Sequence, residues 1–165
     1  MIDHLLKAKD FSPPDNWMSF ETIDMHTGGE PLRVVLSGYG SLKGKSVLEN
    51  RRYLKEHLDV NRRVLMLEPR GHSDMYGCIL VAPNDDGADF GIVFMHNEGY
   101  STMCGHAILA ITKLATQLEW KPIVEGINEW IIDAPYFSQN HPPDGPSSSE
   151  ASPPRPRQPD DTLTH

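Results

Sequence analysis

The segment "YSTMCGHAILAITKLATQ", residues 100–117, predicts a helix that is apolar on nearly every side. A surface helix keeps one polar face, whereas a helix with apolar groups all round has to be buried. The apolar residues that surround its axis are Ala107, Ile108, Leu109, Ala110, Ile111, Leu114 and Ala115, and Leu118 follows directly after the segment. The other elements of the fold must therefore pack around this helix.

The remaining elements are mostly strands. "MSFETIDMHTGGEPLRVVLSGYG" predicts strand, turn and strand, because Gly28 and Gly29 permit positive φ. Short apolar strands are also predicted for "RVLMLEP", "YGCILVAP" and "FGIVFMHN". "GKSVLENRRYLKEHLD" predicts a surface helix capped by Ser46, with Glu49 completing a capping box. Together these elements predict an α+β fold, in which a mostly antiparallel sheet curls around the central helix.

The folding unit is predicted to span residues 15–137, after a flexible N-terminus at residues 1–14. Residues 138–165 contain seven prolines, five serines and only two apolar residues, Ala151 and Leu163. Such a segment buries too little surface to offset its ordering entropy. A disordered Pro/Ser-rich tail is therefore predicted over residues 138–165.

Charge and composition exclude several classes of protein. The net charge of −8 argues against a nucleic-acid partner, which would need a basic surface. No apolar run approaches the roughly 20 residues of a membrane helix, and the first residues lack the pattern of a secretory signal, so no membrane association is expected. The two cysteines, Cys78 and Cys104, form neither a disulfide framework nor a zinc motif, which indicates a reducing, cytoplasmic location.

Cys104 is the first candidate for chemistry. Ser101 or Thr102 is placed to cap the apolar helix, which puts Cys104 in its first turn. The helix dipole favours a thiolate there, and the N–H groups of Gly105 and His106 would suit a carboxylate. The alternative is a buried cysteine that only fills space, and from spacing alone it is the more frequent outcome.

Three polar insertions, "TGGEP", "RGHSDM" and "HNEG", adjoin predicted strands. We expect them to cluster near the start of the apolar helix. A metal site built from His26, His72 and Asp74 is an alternative, but their spacing matches no compact ligand motif, so no metal is expected. Cys78 lies inside an apolar strand and is expected to be a core side chain.

Three separated motifs in the same order resemble the proline racemase family: "DMHTGGEPLRVV", "EPRGHSDMYG" and "HNEGYSTMCGHA". The resemblance covers about residues 20–125. It implies one lobe, incomplete here, of a two-lobe, diaminopimelate epimerase-like fold, in which a strongly curved sheet wraps around a central helix. It also implies that Cys104 is the base that removes the α-proton of a cyclic imino acid. By the same resemblance Gly105 and His106 bind the substrate, and neither a cofactor nor a metal takes part.

Within the family, "HNEGY" and the tyrosine of "RGHSDMYG" most resemble the trans-3-hydroxy-L-proline dehydratases. A proline racemase or 4-hydroxyproline epimerase, which uses a second cysteine from the other lobe, is the alternative. The resemblance fades after about Gly126, where "INEWIIDAPYFSQ" does not continue the family's strands. The expectation is therefore a truncated N-terminal lobe, inactive on its own. A non-catalytic product that at most binds a partner stays open, as does a homodimer for the full-length form.

Overall fold

The computed structural model describes residues 10–84 and 86–135. The predicted tail lies wholly outside these residues and the predicted flexible start lies mostly outside them, so both stay predictions. The strands are β1 (Glu21–Thr27), β2 (Glu30–Ser37), β3 (Tyr76–Val81), β4 (Phe90–His96) and β5 (Ile132–Asp133). The helices are α1 (Val47–His57), α2 (Asp59–Met66) and α3 (Gly105–Gln117). Among the described helices, none has the length and apolar composition needed to span a membrane.

The strands form one mixed sheet in the order β1-β2-β3-β4-β5. The two longest ladders, β1 with β2 and β3 with β4, are antiparallel. The shorter ladders, β2 with β3 and β4 with β5, are parallel. Parallel neighbours need a crossover connection, and α1 with α2 supplies the first crossover while α3 supplies the second. The α+β class predicted from the sequence is confirmed, and the sheet is open.

β1 and β2 form the predicted hairpin. Gly28 and Gly29 make its turn with φ of +61° and +104°, a region that strains residues with a Cβ atom. Thr27 pairs with Glu30 next to the turn. The sequence pattern therefore identifies both the hairpin and the reason for its glycines.

Arg33 ties this hairpin to the end of α2. Its Nε and Nη2 atoms donate to the two carboxylate oxygens of Asp24 across the ladder, at 2.8 and 2.7 Å. Its Nη1 atom donates to the carbonyl oxygens of Leu65 and Arg70, both at 2.9 Å. One guanidinium thus joins β1, β2 and the turn that follows α2.

Helix α1 begins where the sequence predicts. The Ser46 hydroxyl accepts a hydrogen bond from the N–H of Glu49 at 3.1 Å. The Glu49 carboxylate accepts from the N–H of Lys45 at 2.7 Å, one residue earlier than in a standard capping box. Val47 and Leu54 are fully buried, so the apolar stripe of α1 faces the sheet.

The strand predicted for "RVLMLEP" is wrong, because these residues complete α2 and the turn after it. The buried residues of α2 recur at helical spacing, and two of them are polar: Asn61, Arg62, Leu65 and Met66. Arg62 is accommodated because its guanidinium pairs with Asp59 one turn earlier. A short apolar run fits a strand or a helix equally well, and the buried arginine hides the helical period.

The sheet separates two hydrophobic cores. Successive residues of β3 and β4 point to opposite faces, so Cys78 and Phe94 enter the core beneath α3. Ile79 and Met95 enter the core beneath α1 and α2. The expectation of a core role for Cys78 is confirmed, since its side chain is fully buried.

Helix α3 is buried along one face only. Ala107, Ala110, Ile111, Leu114 and Ala115 face the sheet. The expected burial on nearly every side is wrong, because Leu109 and Leu118 are 62% and 55% exposed. The open sheet of the described residues covers α3 from one side.

The chain after α3 returns to the sheet as β5, although its sequence pattern predicts no strand. The N–H of Asp89 donates to the carbonyl of Ile131 at 2.8 Å, and the Asp89 carboxylate accepts from the N–H of Ile131 at 2.8 Å. Lys121 adds an ion pair to the same carboxylate at 2.6 Å. Trp130 and Ile132 pack on the core beneath α3. Tertiary contacts therefore hold a strand too short to be recognised from its own residues.

Candidate active site

Helix α3 begins at Gly105, and Cys104 is its N-cap residue in extended backbone with φ −150° and ψ 103°. The expected cap at Ser101 or Thr102, which would put Cys104 in the first turn, is wrong. The physical reason lies in Tyr100, whose ring is anchored in the core beneath α1 and α2. The backbone between Tyr100 and Cys104 must therefore cross from one face of the sheet to the other before α3 begins.

His106 lies directly against the Cys104 thiol. The Sγ atom is 3.4 Å from Nδ1 and 3.7 Å from Nε2 of the imidazole, so the thiol lies against the ring and not in line with one nitrogen. Nε2 of the same ring is 3.2 Å from the carbonyl oxygen of Pro31. Since a carbonyl only accepts, this contact assigns the proton to Nε2 and leaves Nδ1 unprotonated beside the thiol. The sequence predicts His106 as a site residue, but the orientation of its ring needs the structure.

Groups from the hairpin and from β3 contact His106. The Thr27 hydroxyl donates to the carbonyl oxygen of His106 at 2.9 Å. The edge of the Tyr76 ring meets the His106 ring with 4.9 Å between centroids, and Tyr76 also contacts His96 at 5.4 Å. The predicted clustering of polar loops is therefore confirmed for "TGGEP", which contacts His106 through Thr27 and Pro31, while "HNEG" is linked to His106 through Tyr76. Sequence reasoning missed Tyr76 as a site residue, although it lies inside the quoted "RGHSDMYG".

Burial dominates the electrostatics of the thiol. Cys104 is 6% exposed, and this burial raises the pKa of its thiol, while the N–H of Ala107 opposes the effect more weakly. The N–H of Ala107 in the first turn thus acts in the direction expected of a helix start, but burial outweighs it. Among the described residues, His106 of α3 contacts this thiol, and Tyr76 and Cys78 of β3 are close enough for its charge to raise their pKa values.

The backbone beside the thiol is open. A Cβ atom at Gly105 would meet no atom within 4 Å, apart from its two chain neighbours and the backbone of its own helix. The N–H groups of Gly105 and His106 have no partner within the helix, as in the first turn of any α-helix. The first turn of α3 carries no acidic residue that would repel an anion. The start of α3 can therefore hold a carboxylate next to a cysteine.

The alternative metal site is not assembled. The N–H of Asp74 donates to Nδ1 of His72 at 3.2 Å, so that ring nitrogen is used locally. His26 lies on β1 opposite Pro31. Within residues 10–84 and 86–135, no group of three or more His, Cys, Asp or Glu side chains is placed to hold a metal ion.

Fold and site together define a class: an α+β lobe that presents a cysteine–histidine pair at the open start of its sheet-packed helix. A family model described as proline racemase matches residues 22–136. The chain therefore belongs to the proline racemase family. The match continues beyond Gly126 and includes β5, so the expected fading of the resemblance there is wrong.

Curated relatives agree on the family but differ in activity. The chain is 55% identical over 103 residues to a trans-L-3-hydroxyproline dehydratase of Xenopus tropicalis, which covers 62% of this chain and 30% of that protein. It is 48% identical over 116 residues to a trans-3-hydroxy-L-proline dehydratase of Bacillus cereus, covering 70% and 35%. It is also 48% identical over 117 residues to a 3-hydroxyproline 2-epimerase of Burkholderia multivorans, covering 71% and 35%. The chain thus spans about a third of the length of these relatives.

A solved structure supports the fold independently. A hydroxyproline epimerase of Agrobacterium vitis, crystallised with trans-4-hydroxy-L-proline, superposes with a TM-score of 0.63 at 20% identity. The similarity covers 70% of this chain and 34% of that one. At this identity the likeness shows the shared fold and no more.

Proposed function

We propose that this chain contributes one lobe of a trans-3-hydroxy-L-proline dehydratase, in which Cys104 removes the α-proton of the substrate. The observation that carries the proposal is the 3.4 Å contact between the Cys104 thiol and Nδ1 of His106 at the open start of α3. A base and an anion-binding helix start are the two elements that α-proton removal needs. Two relatives named as dehydratases, at 55% and 48% identity, favour this activity over others in the family.

The base in this proposal is the thiol together with its imidazole. A thiol whose pKa is raised is protonated at neutral pH, and so needs an acceptor before it can act. Nδ1 of His106 serves as that acceptor, because Nε2 is engaged by the carbonyl of Pro31. Proton transfer from Cys104 to His106 yields a thiolate beside an imidazolium, each stabilised by the other.

Gly105 and His106 would bind the substrate through their backbone. Their N–H groups would take the carboxylate, on which negative charge grows as the α-C–H bond breaks. The missing side chain at Gly105 leaves the approach unobstructed. This assigns His106 two roles, one through its N–H group and one through its ring.

The proposed reaction is a β-elimination. The thiolate takes the α-proton, and the electron pair of the broken C–H bond forms a double bond to the neighbouring ring carbon. The C–O bond at that carbon breaks, and the hydroxide leaves as water with the proton that His106 had accepted, which restores the neutral thiol and imidazole. The resulting enamine tautomerises to a cyclic imine. No electrons are gained or lost, so the proposal needs no redox cofactor.

Epimerisation is the second candidate, favoured by the Burkholderia multivorans relative. Inversion at the α-carbon needs a proton donor on the face opposite Cys104. In the described part of the chain the other cysteine, Cys78, is fully buried in the sheet. A role restricted to binding a partner is the third candidate, and the assay below separates all three.

The activity is proposed for the complete protein, because this chain spans 30% and 35% of the two dehydratase relatives. By itself, the 165-residue chain should show little turnover. Its described residues would hold a substrate from one side and leave water free to enter from the other.

A chimera tests the proposal. Residues 22–136 would replace the matching part of the Xenopus tropicalis relative, and the product would be offered trans-3-hydroxy-L-proline, trans-4-hydroxy-L-proline and L-proline without added cofactor. We expect only the first to react, giving the cyclic imine. Cys104→Ser should lower kcat by on the order of 10²–10⁴-fold, because a hydroxyl is a much weaker base at neutral pH.

Cys78→Ala is the matched control, since it removes the other thiol of the described residues. It should keep activity if the variant folds, as judged by circular dichroism. Inversion of any of the three substrates at the α-carbon, without dehydration, would favour the epimerase or racemase. A folded chimera that converts none of the three would contradict both enzyme activities.

A further inference from the structure

The loop between β4 and α3 crosses from one core to the other. Tyr100 belongs to the core beneath α1 and α2, and Cys104 belongs to the core beneath α3. Between them the chain has neither helix nor strand. Its geometry must therefore be set by other contacts of its backbone groups.

Two arginines supply such contacts. Nη1 of Arg62 donates to the carbonyl oxygens of His96 and Asn97, at 2.9 and 2.7 Å. Arg51 donates to the carbonyl oxygen of Tyr100 through Nε at 3.2 Å and Nη2 at 2.6 Å. Helices on one face of the sheet thus hold the backbone that leads to the thiol on the other face.

Arg62 is itself held in one orientation. It is 6% exposed, and its Nε and Nη2 atoms bond both carboxylate oxygens of Asp59 at 2.6 and 2.9 Å. Its guanidinium also lies 5.8 Å from the centre of the Tyr100 ring. The planar guanidinium fork of Arg62 thus bonds a carboxylate on one side and two carbonyls on the other. A lysine ammonium cannot reproduce this geometry.

A chain of contacts leads from this fork to the thiol. Nδ1 of His96 accepts from the N–H of Glu98 at 3.2 Å, which orients the ring at the end of β4. The His96 ring contacts Tyr76, and Tyr76 contacts His106. His106 in turn meets Cys104. One of the two carbonyls that Arg62 bonds is therefore that of His96, the residue at which this series of contacts begins.

We propose that Arg62, fixed by Asp59, is a positioning residue for the Cys104–His106 pair. It holds the end of β4 so that the following loop delivers the thiol to the start of α3 next to the imidazole. The catalytic meaning of this inference rests on the proposed function. The geometry at the thiol, however, can be measured without any turnover.

The test compares variants of the full chain by the pH profile of Cys104 alkylation, read by mass spectrometry, with thermal unfolding recorded in parallel. Arg62→Met removes the fork and keeps an apolar stem, Arg62→Lys keeps the charge, and Asp59→Asn keeps the shape of the partner. Arg63→Met is the matched control, because it removes an exposed arginine from the neighbouring position of the same helix.

In Arg62→Met and Asp59→Asn a released loop would let water reach the thiol. The midpoint of the Cys104 profile should then move downward by roughly one pH unit, with several-fold faster alkylation below it. Arg62→Lys should lie between these variants and the wild type, and Arg63→Met should superpose on the wild type.

An unchanged Cys104 profile in folded Arg62→Met, with only a lower melting temperature, would show that Arg62 is merely structural and would overturn the proposal. If Arg62→Met does not fold, Asp59→Asn and Arg62→Lys decide by the same criterion. In the active chimera, Arg62→Lys should lower kcat more than it raises KM. A chimera without activity would count against the proposed function alone, because the alkylation profile still decides the role of Arg62.

Discussion

The phenolic oxygens of Tyr39 and Tyr100 lie 3.2 Å apart in the core beneath α1 and α2. Burial raises the pKa of Tyr100 to about 12, and burial raises the pKa of Tyr39 as well. Ionising either phenol in the folded state would place a charge beside the other ring in an apolar core. The pair therefore links the stability of the fold to alkaline pH.

We expect the free energy of unfolding to fall as the pH rises above about 10. Unfolded tyrosines lose their protons near that pH, whereas the folded pKa of Tyr100 is about 12. The folded state then binds more protons than the unfolded state. The contribution of Tyr100 is thus fully present below the unfolded pKa and is lost as the pH rises towards the folded one.

Tyr100→Phe removes one of these groups, so denaturant unfolding at several pH values should show a shallower alkaline decline. At neutral pH the variant should lose about 0.5–1.5 kcal/mol with the hydrogen bond to Tyr39. A variant whose stability declines as steeply as that of the wild type above pH 10 would contradict the role of the pair.

Gly105→Ala should preserve the fold and weaken substrate binding in the active chimera. The new methyl group meets no atom within 4 Å, but it would project into the space through which a carboxylate approaches the first turn of α3. KM should rise by roughly tenfold, equivalent to about 1.4 kcal/mol of binding. Gly99→Ala is the matched control, because its Cβ atom also meets nothing within 4 Å. Equal KM values for the two variants would remove Gly105 from the binding site.

Cys104 should be alkylated before Cys78. Burial raises the pKa of both thiols, but Cys78 is fully buried within β3 while Cys104 is 6% exposed where a loop meets a helix. The rate for Cys104 should still be climbing at pH 9, since its pKa is raised above the ordinary value of 9.0. Brief iodoacetamide treatment followed by peptide mass mapping measures both rates, and earlier labelling of Cys78 would refute the expectation.

Arg33→Met should destabilise the fold more than Asp24→Asn. The Asp24 carboxylate is mainly exposed, so loss of its charge should cost less than about 1 kcal/mol. Arg33 also donates to the carbonyl of Leu65 in a part-buried contact and to that of Arg70 in an exposed one, and a buried acceptor left without a donor costs about 1–3 kcal/mol. Thermal or denaturant unfolding gives the order directly, and equal losses would show that the two carbonyl contacts contribute nothing.

The same ion pair gives an acidic pH dependence. The hydrogen bond from Arg33 lowers the pKa of Asp24 below its ordinary value. The stabilisation is therefore present above the unfolded pKa and is lost as the pH falls through the folded one. Asp24→Asn should flatten the acidic decline in stability, and an unchanged decline would contradict this reading.

The sequence predicted correctly those elements whose formation depends on contacts between neighbouring residues. The glycine pair of the hairpin needs positive φ, and the Ser46 cap bonds the N–H of Glu49, so both could be recognised from neighbouring residues. β3 and β4 carry their own apolar runs and were recognised for the same reason.

Elements that depend on distant partners were missed. Arg62 is buried in α2 because Asp59 and the carbonyls of His96 and Asn97 accept its hydrogen bonds, which no pattern in "RVLMLEP" reveals. β5 forms because Asp89 bonds the backbone of Ile131 and Phe90 pairs with Ile132. Within the site, the motif identified Cys104, Gly105 and His106 as candidates. The ring orientation of His106 and the contact with Tyr76 followed only from the way the strands meet.

The exposed apolar residues of α3 and of the segment after it also affect the tendency of this chain to associate in solution. Leu109, Val124 and Ile127 are 62%, 61% and 94% exposed, and apolar side chains facing water favour contact between molecules. The net charge of −8 keeps copies apart. Added salt screens that repulsion and leaves the apolar attraction in place. The colloidal stability of the chain will therefore depend on ionic strength, even under conditions in which its fold is fully stable.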